Sequence, residues 1–113
     1  VTVDNSTTSA RMYVASVDVT AVNAGAGWKQ GHAQVVILDT AGNPVAGATV
    51  SGGFTGDIEE SNEGTTDVGG VAVILTSSTK RGGCNITFCV TDVVRQEYTY
   101  DRAANVETCD SNF

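Results

Sequence analysis

The sequence predicts an all-β fold, a two-sheet antiparallel sandwich of about seven strands. Three observations carry that expectation. Short runs of β-branched and apolar residues alternate in polarity, as in HAQVVILD and CNITFCVTDV, which is the period of a half-buried strand. Clusters of Gly, Asn, Asp and Ser separate these runs and supply turns. Charged residues make up only 17% of the chain, while Thr, Ser, Val, Ala and Gly abound, a balance that disfavours surface helices.

Taken in order, VTVDNSTTSA at residues 1–10 is polar and reads as a linker, and residues 11–113 form the sandwich with a C-terminal tail. The first strand, MYVASVDVTAV, has apolar residues at Met12 and Val14 and then at Val17 and Val19. The alternation slips by one near Ser16, so a bulge is expected there to restore the inward phase. NAGAGWKQG reads as a Gly-rich loop, followed by a second strand with Ala33, Val35 and Ile37 inward.

The stretch Gln34–Phe54 is the organising element. Its strand stops at AGNP, reverses around Pro44, the single proline, and resumes as a third strand, AGATVSGGF. GDIEESNEGTTDVGG holds at most one short strand and a loop. GVAVILTS is the fifth strand. CNITFCVTDV is the sixth, with Ile86, Phe88 and Val90 on one face, and RQEYTYD the seventh, with Tyr98 and Tyr100 sharing a face. The tail RAANVETCDSNF is too polar for a core strand.

The formal net charge of −7 and a pI near 4.3 argue against a nucleic-acid partner, which takes most of its affinity from Lys and Arg on phosphates. No apolar run or basic amphipathic segment supports membrane contact. No charged-then-apolar leader is read at Val1, so an export signal is expected to lie elsewhere or to have been removed. Cys84, Cys89 and Cys109 lack metal-ligand spacing, and His32 is the single histidine. One disulfide plus one thiol is the economical reading, and it implies an oxidising compartment. CNITFC as a strand spans roughly 17 Å, too far for Cys84 to bridge Cys89. Cys109 is therefore the shared partner, of Cys84 or of Cys89.

The runs DTAGNPVAGATVSG, TTDVGGVAVILTS and TFCVTDV resemble the immunoglobulin-like or fibronectin-like accessory modules of secreted bacterial hydrolases and adhesins, over roughly residues 11–101. That resemblance implies an immunoglobulin-like sandwich, a secreted setting, a covalently linked neighbouring domain and no catalytic residues of its own.

His32 has no nucleophilic elbow beside it and reads as a solvated strand residue, so no enzyme is expected. No cofactor is required. Asp57, Glu59, Glu63 and Asp67 are hard oxygen donors and raise a structural calcium as the alternative to a solvated acidic loop. If consecutive strands alternate in direction, Trp28 and Lys29, Phe54, Lys80 and Arg81, and Tyr100–Arg102 gather at one end. An exposed aromatic ring that stacks on a sugar, flanked by charged side chains, is how a sandwich without a catalytic cleft can hold a polysaccharide. Trp28, Lys29, Arg81, Tyr100 and Asp101 are the candidate ligand-binding residues, on a monomeric module whose partner is a polysaccharide or cell-surface glycan. A structural role is the competing reading: Trp28 as a cap on the core, the tyrosines as core residues, the whole chain as a spacer or adhesin segment.

Overall fold

The computed structural model describes residues 10–113. They form eight strands: β1 (Ala10–Gly25), β2 (Trp28–Asp39), β3 (Thr49–Gly56), β4 (Glu60–Thr65), β5 (Val71–Arg81), β6 (Ile86–Val94), β7 (Tyr98–Tyr100) and β8 (Cys109–Ser111). One 3₁₀ turn, Arg102–Ala104, lies between β7 and β8. The linker expected over residues 1–10 falls outside the described residues, except that Ala10 already opens β1. The strands make two stacked four-stranded sheets, ordered β5-β2-β1-β7 and β4-β3-β6-β8. This is the predicted all-β sandwich, with one strand more than the seven expected. The extra strand is β8, in the tail.

Side-chain alternation builds the core. Met12, Val14, Val17 and Val19 of β1 are all buried, and the register slips between Val14 and Ser16, so a bulge keeps both apolar pairs on the inner face as expected. Ala33, Val35 and Ile37 of β2 lie beside them on the same inner face and are fully buried. From the other sheet come Val50, Phe54, Ile86, Phe88 and Val90, with the Phe54 and Phe88 ring centroids 4.8 Å apart. Tilted aromatic packing of this kind adds to the area buried.

Two turns use one device. The Asp39 carboxylate accepts the Ala41 and Asn43 N–H groups, each at 2.9 Å. In the turn between β4 and β5, Asp67 Oδ1 accepts those of Gly69 and Val71 at 2.9 and 3.1 Å. Each D-x-x-G run thus satisfies its own backbone before the next strand begins.

NAGAGWKQG is not a loop. Asn23 pairs with Lys29 and Gly25 with Trp28, which leaves a two-residue turn at Ala26 and Gly27 with φ of 54° and 85°. Positive φ at both central residues is the turn whose twist matches that of a β-hairpin, and so the strands run on almost to the tip.

Both open sides of the sandwich are closed by side chains that accept backbone N–H groups. On one side Glu60 of β4 reaches the other sheet and accepts from Ser77 N at 2.8 Å and Ser78 N at 3.0 Å, on the edge of β5. On the other side β7 covers only Ala10–Met12 of β1. Further along that edge Asn105 accepts from Val14 N at 2.8 Å, Glu107 from Val17 N at 2.9 Å and Asp110 from Val19 N at 2.9 Å. The same segment pairs as β8 with β6 in the second sheet, and a disulfide joins Cys89 to Cys109 across that pair. The tail is a strap between the two sheets, polar because its side chains do the work of a missing strand.

Candidate functional site

β1, β2 and β5 outrun the second sheet at one end. The core closes there under Gly31: a Cβ on it would lie 2.7 Å from Thr76 Cγ2, 2.9 Å from Ile86 Cδ1 and 3.2 Å from Phe54 Cε1. Thr76 is buried and its hydroxyl accepts from Gly31 N at 2.9 Å, which seals the end of the barrel of apolar side chains. Beyond that lid the three strands continue as a ribbon.

The ribbon carries three of the five predicted site residues. Trp28 pairs with Arg81, and Lys29 with Lys80. Alternation along β2 puts Lys29 on the face of Gly31 and Ala33, and Trp28 with Arg81 on the reverse. Trp28 is 41% exposed, so its ring is not enclosed in the core. Lys29 Nζ donates to Asn23 Oδ1 at 2.6 Å, and Lys80 Nζ to the carbonyls of Arg81 and Gly83 at 3.3 and 3.4 Å.

Tyr100 and Asp101 are elsewhere. β7 runs in the predicted direction but is three residues long, and its Tyr100 lies beside Met12 at the start of β1. The ribbon tip at Gly25 is thirteen residues further along the same strand, roughly 40 Å away. There Tyr100 packs against the core and its hydroxyl accepts from Asn105 Nδ2 at 2.7 Å, while Asp101 faces Arg11 at 3.9 Å. Their surroundings tie down the tail. Phe54 does sit near the tip end, but it is 2% exposed and belongs to the core.

The acidic residues raised as calcium donors are dispersed. Asp57 accepts Asn85 N at 2.8 Å near the tip end, whereas Asp67 holds the turn at the other end. Glu63 pairs with Ser51 in mid-strand. Between them Glu60 is partly buried, which pushes its carboxyl up. Bonds from Asn62, from the Ser77 and Ser78 N–H groups and from the Ser78 hydroxyl outweigh that and bring it down to about 2. Among the described residues no group of three or more His, Cys, Asp or Glu is placed to hold a metal ion.

His32 stands on the outer face of its sheet between Thr20 and Leu75, with Nδ1 3.4 Å from the Thr20 hydroxyl. Cys84 is the free thiol, buried at the tip end. Burial, with Asp57 adding to it, raises its pKa above the usual thiol value. Among the described residues no helix is long and apolar enough to cross a membrane.

One feature is absent from the sequence expectations. The outer face of the second sheet has an open depression of about 450 Å³, floored by Gly52 and Gly53 and walled by Ser51, Ser61, Glu63 and Thr91. The Gly-Gly pair in mid-strand is its sequence signal: Gly53 leaves the outer face without a side chain, while Gly52 faces inward, where a Cβ would meet the Phe88 ring. It holds no aromatic ring. Comparison with protein-family models, with curated proteins and with solved structures finds no match to this chain.

Proposed function

We propose that this chain is a non-catalytic module of a secreted bacterial protein that holds a polysaccharide or cell-surface glycan at the ribbon tip, and so positions an attached hydrolase on its substrate. The observation that carries this reading is the Trp28 ring, 41% exposed beside Arg81 on a ribbon that projects past the core. A sugar ring presents an apolar face to an aromatic ring and hydroxyls to the groups around it, and both complements are at the tip. The Cys89–Cys109 disulfide suits an oxidising compartment. Affinity electrophoresis of the purified chain through gels containing xylan, soluble cellulose derivatives, β-glucan or chitosan tests it. Retardation by at least one glycan that disappears in Trp28→Ala is the expected result, and free migration through all of them sinks the proposal.

A structural spacer is the second reading. It is favoured by the placement of Ala10 at one end of the sandwich and of Asn112, whose N–H donates to Ile86 O at 3.2 Å, at the other. A module joined in series through both ends would hold its neighbours apart by the length of the sandwich. Migration unaffected by every glycan would leave this reading in place.

A further inference from the structure

The charge on the ribbon does not match the rest of the chain. The protein has 13 acidic residues against 6 Lys and Arg, yet no Asp or Glu occurs from Val19 to Leu38 or from Val68 to Thr91, the segments that supply β2, β5 and the tip. Those same segments contain Lys29, Lys80 and Arg81. Among the described residues, the ion pair within 4.0 Å is Arg11 with Asp101, at the opposite end. Lys29 and Lys80 are direct cross-strand partners, an arrangement that is destabilising for like charges. Their ammonium groups are met by neutral acceptors alone, the Asn23 amide and the Arg81 and Gly83 carbonyls. A chain with carboxylates to spare has set two lysines against each other with no carboxylate of the described residues within 4.0 Å of either ammonium; Asp57, at the same end, is held by the Asn85 N–H.

From this juxtaposition we infer that the ligand of the tip is an anionic polysaccharide, one bearing carboxylate or sulfate groups. The inference rests on the glycan reading above and narrows it. Trp28 offers a stacking surface on one face of the ribbon, with the Arg81 guanidinium beside it as a fork for a planar carboxylate or a sulfate. Lys29 and Lys80 are the next cross-strand pair along the same two strands, on the reverse face, and fields of neighbouring charges add over a Debye length of about 8–10 Å. The acidic remainder of the molecule selects against dense phosphate polymers. A DNA duplex places one charge per about 1.7 Å and would bring many charges against those carboxylates, whereas a polysaccharide with one charge per sugar is sparser.

The test uses matched pairs of polymers that differ in charge alone: polygalacturonate against its methyl ester, and dextran sulfate against dextran, with a single-stranded oligonucleotide as a fifth probe. Retention is measured by affinity electrophoresis and by titration calorimetry at low and high salt. The expected result is binding to polygalacturonate, dextran sulfate or both that exceeds binding to the neutral twin by roughly tenfold or more and weakens as salt rises. Which pair discriminates tells carboxylate from sulfate. The triple substitution K29Q/K80Q/R81Q should lower that affinity by roughly tenfold, with melting temperature unchanged or raised, because the lysine pair is relieved. Equal binding to charged and neutral twins would overturn the anion inference and leave the glycan reading intact. Binding to none of the polysaccharides would overturn both, as would preference for the oligonucleotide.

Discussion

The carboxylate of Glu107 accepts the backbone N–H of Val17 at 2.9 Å, just past the bulge where β1 changes phase. A side chain from a tail here takes the place of a neighbouring strand. Asn105 and Asp110 do the same for Val14 and Val19, and the three acceptors stand two or three residues apart, the spacing a segment beside a strand needs.

Removal of those acceptors should therefore destabilise the sandwich although each residue looks like a polar tail position. Val17 and Val19 are 3% exposed, and a buried N–H left without a partner costs about 1–3 kcal/mol. Glu107→Ala and Asp110→Ala should each lower stability by an amount in that range in urea unfolding. Losses below a few tenths of a kcal/mol would mean that water replaces the carboxylates and that the strap is held by its disulfide alone.

Glu60 makes the equivalent closure on the other side and gives a pH prediction. Those hydrogen bonds hold its carboxyl down at about 2 in the folded chain, below its ordinary value of 4.5. A depressed folded value contributes stability that is fully present above about pH 4.5 and is lost as pH falls toward 2. The wild-type melting temperature should thus drop over that window by more than that of Glu60→Gln. Parallel pH profiles for the two proteins would show that the Ser77 and Ser78 bonds contribute nothing that depends on the charge.

The hairpin at the tip allows a substitution that should stabilise. Ala26 sits at φ 54° and Gly27 at φ 85°, and an alanine held at positive φ pays for its Cβ. Asn tolerates that region and Asn-Gly is the preferred pair for this turn. Ala26→Asn should raise stability by about 0.5–1 kcal/mol. A decrease in melting temperature would mean that the turn is not of the mirror-image type.

What was legible in the sequence follows from periodicity. Buried strands with clear alternation, such as Ala33, Val35 and Ile37, could be assigned to a face, and the slip between Val14 and Val17 foretold its bulge. Loop length was not legible in NAGAGWKQG. Three glycines within nine residues suggest slack chain, whereas a tight turn needs only two positive-φ positions and lets the rest pair. The pairing of the tail was not legible for a related reason: a strand that pairs through its side chains shows no hydrophobic alternation, so β8 leaves no mark in the apolar pattern. Site residues depended on strand length as well as direction. β7 has the predicted direction, but three residues cannot carry Tyr100 and Asp101 the length of β1 to Trp28.

The two aromatic residues at the tip end, Phe54 and Trp28, supply the sharpest contrast in the molecule, because the sequence placed both on the same rim and the structure separates them by a lid one residue thick. Phe54 is 2% exposed and stacks on Phe88, so Phe54→Ala should cost about 3–5 kcal/mol from lost burial and the cavity left behind. Trp28 is 41% exposed, past Gly31 and Thr76, and Trp28→Ala should cost less than about 1 kcal/mol. Urea unfolding of the two variants reads this directly. If Trp28→Ala proved as costly as Phe54→Ala, the ribbon would be packed rather than projecting, and the ring would be a structural cap with no face left for a sugar. If it proved cheap, the largest side chain in the protein would be held at the surface without contributing to the fold, which is the condition a stacking platform for a ligand has to meet.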